Sequence, residues 1–324
     1  MINPTFYIVS SDGKICDSLD GSCVLALGTF DGVHIAHREL IRRAVALKKS
    51  AGAAFAGAWC FADSPSNLLG DTPSPSICTV DEKVNVMLSL GLDFVAVGSF
   101  SEFRDIGAKD FVDSFLKDKL GCVGTVCGFN HRFGHNGEGN SKILTELFGE
   151  EQTVTVPEIK LGDETVSSSA VKAHILNGDM EKAALMLGRP FSLSAKVAQG
   201  KHLGHTVGFP TANQDFPVGT VIPKRGIYAT ICTTSDGKRH IGISNIGIRP
   251  TITDGSDDHV INCETHIHKF SKNIYGEILC VEFHKYLREE RKFSSVKELC
   301  KQITKDLADS VAFFKEKENL EKLW

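Results

Sequence analysis

Two histidines, His34 and His37, stand in the run GTFDGVHIAH at positions 28–37. The apolar run Cys23–Leu27 precedes them, and Leu40, Ile41, Ala44, Val45 and Leu47 follow at helical spacing. A glycine-bearing turn thus leads from a buried strand into a helix N-terminus, with both imidazoles in or beside it. Such a terminus offers unpaired N–H groups and a partial positive charge, which suits phosphate. Imidazoles there can donate hydrogen bonds to phosphoryl oxygens as charge develops. No Gly-Lys-Ser/Thr follows, so this is not a Walker A loop, and the glycine spacing does not fit a dinucleotide fingerprint. Taken by itself the segment also reads as polar residues at a helix start, or as a metal pair.

Three further groups could do chemistry. GFNHRFG at 128–134 follows a strand, and VSSS at 166–169 leads into a helix with Lys172 one turn in. Serines at a helix start ordinarily cap it, but the same hydroxyls can hold phosphate oxygens. GKHLGHTVGFPTAN at 200–213 places Gly200, Gly204 and Gly208 four apart, which lets backbone approach phosphates closely. Thr211 and Asn213 offer neutral oxygens of the kind Mg²⁺ takes beside nucleotide phosphates. In INCETHIH at 261–268, strand alternation puts Glu264 on one face with Asn262, His266 and His268. That face is ordinarily solvated; near a nucleotide, its carboxylate could accept the proton of an attacking hydroxyl.

These residues need elements to hold them. The first half alternates strand patterns at 23–27, 54–61, 94–98, 123–129 and 153–156 with helical patterns near 38–49, 80–90, 108–120 and 141–147. Thr79 and Glu82 have capping-box spacing. This alternation predicts a mostly parallel sheet with helices on both faces and ligands beyond the strands' carboxyl ends. Near Gly188-Arg189-Pro190 the pattern changes to short strands at 192–198, 227–232, 240–246, 260–268 and 278–284, predicting an antiparallel barrel or sandwich. A helix over about 295–318 follows, with a stripe of Val296, Leu299, Ile303, Leu307, Val311 and Phe314. The expected domains are 1–186 and 187–324.

Bulk properties narrow the function. At 324 residues, with 42% hydrophobic and 23% charged content, the chain has room for two ordinary globular cores. A net charge of −4 gives no electrostatic footprint for nucleic acid. No apolar run is long enough to span a membrane, and the N-terminus lacks a signal-peptide pattern. None of the 10 cysteines forms a Cys-x-x-Cys, which argues against a zinc ribbon or redox dithiol. The expected location is cytoplasmic, with reduced thiols.

Together these segments resemble the bacterial bifunctional riboflavin kinase/FAD synthetases. The family's G-x-F-D-G-x-H-x-G-H turn is met at 28–37, its G-[FY]-[DN]-F-R-F-G element at 128–134 and its S-S-T-x-I-R element at 167–172. G-F-P-T-A-N is met at 208–213, and N-I-G-x-R-P-T resembles Asn245 to Thr251. Glu264, Tyr275-Gly276 and Leu287-Arg288-Glu289-Glu290 continue in the family's order. The resemblance implies a Rossmann-like nucleotidyltransferase α/β domain, then a six-stranded antiparallel β-barrel kinase domain. It implies riboflavin plus ATP to FMN, and FMN plus ATP to FAD, with Mg²⁺.

Glu264 would be the kinase base, and His34 and His37 would serve adenylyl transfer. Nucleotide contacts would come from Gly28, Phe30, Asp31, Asn130, Arg132, Ser168, Ser169 and Lys172, and from Gly200, Lys201, Gly204 and Gly208. Phe209, Asn245 and Arg288 would meet flavin, and Thr211 and Asn213 the metal. Ala36, Ser64 and Lys172 depart from the family's glycine, histidine and arginine; Lys172 lacks the bidentate fork. An alternative is a kinase whose first module binds nucleotide or flavin without turnover. A pantetheine- or glycerol-phosphate nucleotidyltransferase would explain the first turn, but neither 208–213 nor Glu264.

Overall fold

The computed structural model describes residues 6–16, 18–63, 74–199, 208–249 and 260–321. Ser64, Gly200, Lys201 and Gly204 lie outside the described residues. The chain divides into two compact units, 1–168 and 169–324.

Strands β1 (Phe6–Ser10), β2 (Ile15–Cys16), β3 (Cys23–Leu27), β4 (Phe55–Phe61), β5 (Phe94–Gly98), β6 (Cys122–Gly128) and β7 (Thr153–Val156) build the sheet of the first unit. Their order is β2-β1-β5-β4-β3-β6-β7. The five strands from β5 to β7 are parallel. The β1–β2 hairpin adds an antiparallel edge that the sequence pattern did not reveal. All five residues of β3, and all five of β5, are buried. That is why these strands read as unbroken apolar runs rather than alternating ones.

Helix α1 (Ile35–Ser50) buries Leu40, Ile41, Ala44 and Leu47 against one face. Helix α2 (Val80–Ser89) adds Val84 and Met87 to the same core. On the other face, the helix expected over 108–120 winds as a π-helix through Phe111–Lys119 and buries Phe111, Phe115 and Leu116. Helix α3 (Ser141–Phe148) contributes Leu144 there.

The chain builds outward from β3 through β4 to β5, then returns to lay β6 on the opposite side of β3. That reversal is the switch point at which such sheets bind ligands. Leu27 pairs with Cys127 there, so the turns after β3 and β6 leave the sheet at one level. A small hairpin of β8 (Lys160–Leu161) and β9 (Glu164–Thr165) follows β7.

Helix α4 (Ser168–Asn177) starts at the division between the units. It and α5 (Met180–Leu187) otherwise belong to the second unit, where α5 packs on β10 (Phe191–Lys196) and β15 (Ile278–Arg288). The compact division therefore falls ahead of residue 187, at which the turn-rich pattern begins. With β11 (Ala212–Asp215), β12 (Gly226–Thr233), β13 (Arg239–Arg249) and β14 (Val260–Ile267), these strands form an antiparallel sheet ordered β10-β15-β12-β13-β14-β11.

A bridge between Ala198 and Asn213 joins the two edges. Buried Gln214 reinforces it, its Nε2 donating to Ala195 O at 2.9 Å and Leu279 O at 2.7 Å. The sheet is thus a nearly closed barrel around Tyr228, Ile246, Cys263, Val281 and Phe283. Helix α6 (Val296–Glu321) lies on β12 and β13, with Ser310 Oγ donating to Gly242 O at 2.9 Å.

One glycine explains a tight place in the first core. A Cβ at Gly57 would overlap the Phe94 ring on the adjacent strand. Gly57→Val is expected to lower unfolding stability by about 1–3 kcal/mol through overpacking, read as a lower urea midpoint. An unchanged midpoint would show that Phe94 has room to move.

Candidate active sites

In the first unit, the turn after β3 is wound left-handed at Phe30 (φ 53°), Gly32 (φ 74°) and Val33 (φ 46°). The two non-glycine residues each cost about 1–2 kcal/mol in this region. Both side chains are fully buried, and that burial holds the turn. Gly28 sits at its entry, where a Cβ would touch the Phe30 ring at 3.2 Å. Asp31 Oδ1 accepts from Ile77 N at 2.7 Å, and Asp31 O accepts from Ser168 Oγ at 3.0 Å. Ser168 is thereby joined to the histidine turn across a long stretch of sequence.

His34 has extended backbone and caps α1, its Nδ1 accepting from His37 N at 3.3 Å. An accepting Nδ1 leaves the proton of the neutral ring on Nε2. His34 can therefore donate from Nε2. The two imidazoles stack with centroids 3.6 Å apart, and Phe30 lies 5.0 Å from His37. Burial pulls His34 down to about 4. Burial also pulls His37 well below the usual imidazole range, with help from His34 and Lys83. Near neutral pH both imidazoles are therefore uncharged.

Asn130 and Arg132 are exposed in the turn after β6, flanking His131, which stacks on Phe133 at 5.7 Å. Ser169 and Lys172 follow Ser168 in α4.

Lys83 was not among the sequence candidates. It is 6% exposed, and its Nζ donates to Phe61 O at 2.7 Å and Thr29 O at 3.3 Å. The signal was present in the pattern: Val80, Lys83, Val84 and Met87 fall on the inward stripe of α2, so a lysine occupies an apolar position.

In the second unit, strand register does the assembling. Glu264 on β14 lies directly opposite Asn213 on β11 and Asn245 on β13. Residues directly opposite share a face, so three predicted site residues form one row. Asn262, two residues away on that face, is 3% exposed and donates to Asn213 Oδ1 at 3.4 Å. It thus belongs to the buried part of the row, not to a solvated face. Asn245 donates to Glu290 Oε1 at 3.1 Å, and Gly247 leaves room for that carboxylate.

Gly208 (φ 81°) turns the chain into this row. Phe209 lies edge-on to His266 at 5.3 Å, while His266 Nδ1 is 2.9 Å from Pro210 O. Thr211 lines a cavity of about 430 Å³ with Pro210, Thr265, Phe270, Asn273 and Tyr275. Arg288 grips Asp306 of α6 through Nε and Nη2, the shortest contact being 2.6 Å. Its guanidinium thus ties α6 to the end of β15. Asp306, 2% exposed, had no sequence signal beyond an acidic residue in a helical stripe.

Among the depressed histidines of the first unit, His34 has a signed consequence. Between about 6.5 and about 4 the unfolded chain binds a proton at His34 that the folded chain does not. Its contribution to stability is complete above that window and lost as pH falls through it. The melting temperature of the first unit should drop across this range, and His34→Gln should flatten the drop. An unchanged slope in the variant would contradict the assignment.

Comparisons with known proteins bear on both sites. A family model described as FAD synthetase matches residues 16–170, and one described as riboflavin kinase matches residues 187–314. A bifunctional riboflavin kinase/FMN adenylyltransferase of Bacillus subtilis (strain 168) is 32% identical over 90% of this chain and 92% of its own. The Escherichia coli (strain K12) protein of the same description is 31% identical over 90% and 93%. A crystal structure described as a macrolide-efflux protein from Streptococcus pneumoniae superposes with a TM-score of 0.79 at 26% identity, covering 92% of this chain and 95% of that one. Among the described residues, no helix is long and apolar enough to cross a membrane. The match to the FAD synthetase model favours two working modules over a kinase with an idle first module. The chain belongs to the bifunctional riboflavin kinase/FMN adenylyltransferases.

Proposed function

We propose that the barrel unit phosphorylates riboflavin to FMN and that the α/β unit adenylylates FMN to FAD, with ATP the co-substrate of both. The observation that carries the kinase assignment is the register row Asn213–Glu264–Asn245. In the first reaction Glu264 takes the proton of the ribityl hydroxyl, that oxygen attacks the γ-phosphorus, and ADP leaves. Thr211 and Gly208 border the triphosphate. Phe209 and Asn245 face the flavin, and Arg288 supports that wall through α6.

The donor set suits Mg²⁺. Thr211 and Asn213 supply neutral oxygens, and Asn213 is 8% exposed with its amide oriented by Asn262. Among the described residues, no cluster of three acidic, histidine or cysteine groups could hold an ion by itself. An ion bound here would share its ligands with substrate phosphates and water, as Mg²⁺ does. Its contribution would be to neutralise charge on the transferring phosphate.

In the second reaction an FMN phosphate oxygen attacks the α-phosphorus of ATP and pyrophosphate leaves. His34 Nε2–H and the N-terminal N–H groups of α1 stabilise the charge that builds there. His37 holds the His34 ring by stacking. Asn130, Arg132 and Ser168 complete the nucleotide contacts of that turn. Substrates and products are small molecules, and the use of ATP supports a cytoplasmic location.

The test is to incubate the purified chain with riboflavin, ATP and Mg²⁺ and separate the flavins by chromatography. The parent should form FMN and then FAD. Glu264→Gln should lower FMN formation by about 10²–10⁴-fold, while supplied FMN still becomes FAD. Near-native FMN formation by Glu264→Gln would remove Glu264 as the base.

A further inference from the structure

The capping box at the start of α2 fixes where Lys83 points. Thr79 Oγ1 accepts from Glu82 N at 3.2 Å, and Glu82 Oε2 accepts from Thr79 N at 2.9 Å. Lys83 comes next, one turn into the helix and inside the apolar stripe. Its ammonium reaches the carboxyl edge of the sheet, where Phe61 O ends β4 and Thr29 O belongs to the turn after β3. Thr29, Asp31, Phe61, Asp63 and Lys83 line one small cleft. The charge also reaches His37, whose ring it helps keep neutral.

An ammonium has three donors. Two are spent on carbonyls, and the carboxylates that share the cleft are engaged elsewhere: Asp31 Oδ1 accepts from Ile77 N at 2.7 Å and Asp63 Oδ1 from Phe100 N at 2.6 Å. Burying a cation without a counter-charge costs several kcal/mol even after relaxation. An apolar residue of the same length would fill this position in α2 without that cost. The positive charge therefore answers something that arrives at the carboxyl edge and is negative.

We propose that Lys83 binds a phosphate oxygen of the reacting pair during adenylyl transfer, next to the His34–His37 turn. The inference rests on the assignment of FAD synthesis to this unit. Phosphate is the shared chemistry of both substrates, so the oxygen belongs either to ATP or to FMN. The remaining N–H of Lys83 donates to it while the two carbonyls hold the ammonium in place.

Three variants separate this role from a purely structural tie. Lys83→Gln keeps two N–H donors for the carbonyls and removes the charge. Lys83→Met keeps the apolar stem alone, and Lys83→Arg keeps the charge. FAD synthesis from supplied FMN is measured with kcat and both KM values, beside riboflavin phosphorylation and the melting temperature. Parent FAD synthesis is the control; its absence would refute the assignment of this unit, and calorimetric binding of ATP and of FMN to parent and Lys83→Gln would then test Lys83 alone.

Lys83→Gln and Lys83→Met should lose about 10²-fold in FAD synthesis, with riboflavin phosphorylation retained and Lys83→Arg recovering part of the loss. A rise confined to the KM for ATP assigns the contact to ATP, and one confined to FMN assigns it to FMN. The proposal is overturned if Lys83→Gln stays within about twofold of the parent. It is also overturned if all three variants lose activity in step with their melting temperatures. In the calorimetric arm, equal affinity of parent and variant for both ATP and FMN would overturn it.

Discussion

The hydrogen-bond register of β14 against β11 and β13 is what puts Glu264 beside Asn213 and Asn245. Side chains alternate along a strand, so a slip of one residue would turn Glu264 into the barrel and Cys263 out of it. The interior resists that exchange. Cys263, Thr265, Ser244 and Ile246 are all fully buried. The same constraint acts in the first unit through parallel pairing. Leu27 opposite Cys127 sends the turns after β3 and β6 off the sheet together. Each site is thus a by-product of a core that tolerates one register.

On that base, each unit keeps a costly local arrangement at its site. In the first, Phe30 and Val33 adopt left-handed backbone that glycine alone takes freely. Their burial in the core under α1 holds the turn rigid, and His34 then caps the helix with its own ring. In the second, Asn213 and Asn262 are polar groups taken out of water, which is costly unless they are hydrogen-bonded. They bond to each other and so share one orientation. Rigid placement of this kind is what phosphoryl and adenylyl transfer ask of a protein, since positioning and charge stabilisation supply most of the catalysis.

On the proposed assignment, the two chemistries are answered by different electrostatics. The kinase row offers a carboxylate beside neutral amides, suited to accepting a proton and to sharing a divalent ion with phosphates. The adenylyltransferase turn offers neutral stacked imidazoles, helix N–H groups and a buried ammonium, suited to negative charge with no proton to remove. The bond between Ser168 and Asp31 draws the serine motif into the second arrangement. The Arg288–Asp306 pair likewise draws α6 into the support of the first.

The sequence alone determined the class of each unit, because periodicity is local. The apolar runs of β3 and β5, the stripe of α1, the capping box before α2 and the turn-rich strands after residue 187 are all visible in short windows. So were the motifs, which are contiguous turns whose residue types state their chemistry. The edge hairpin β1–β2 escaped because two short strands carry too little pattern. The π winding over Phe111–Lys119 escaped because it keeps a helical apolar stripe. Which residues stand together was decided only by the tertiary structure. The Asn213–Glu264–Asn245 row depends on β14 pairing with β11 across two intervening strands as well as with its neighbour β13. Asn262 gained its role from burial, Arg288 from a carboxylate on α6, and Lys83 from carbonyls at the end of β4 and in the turn after β3. Those are long-range contacts, and no window of sequence contains both partners.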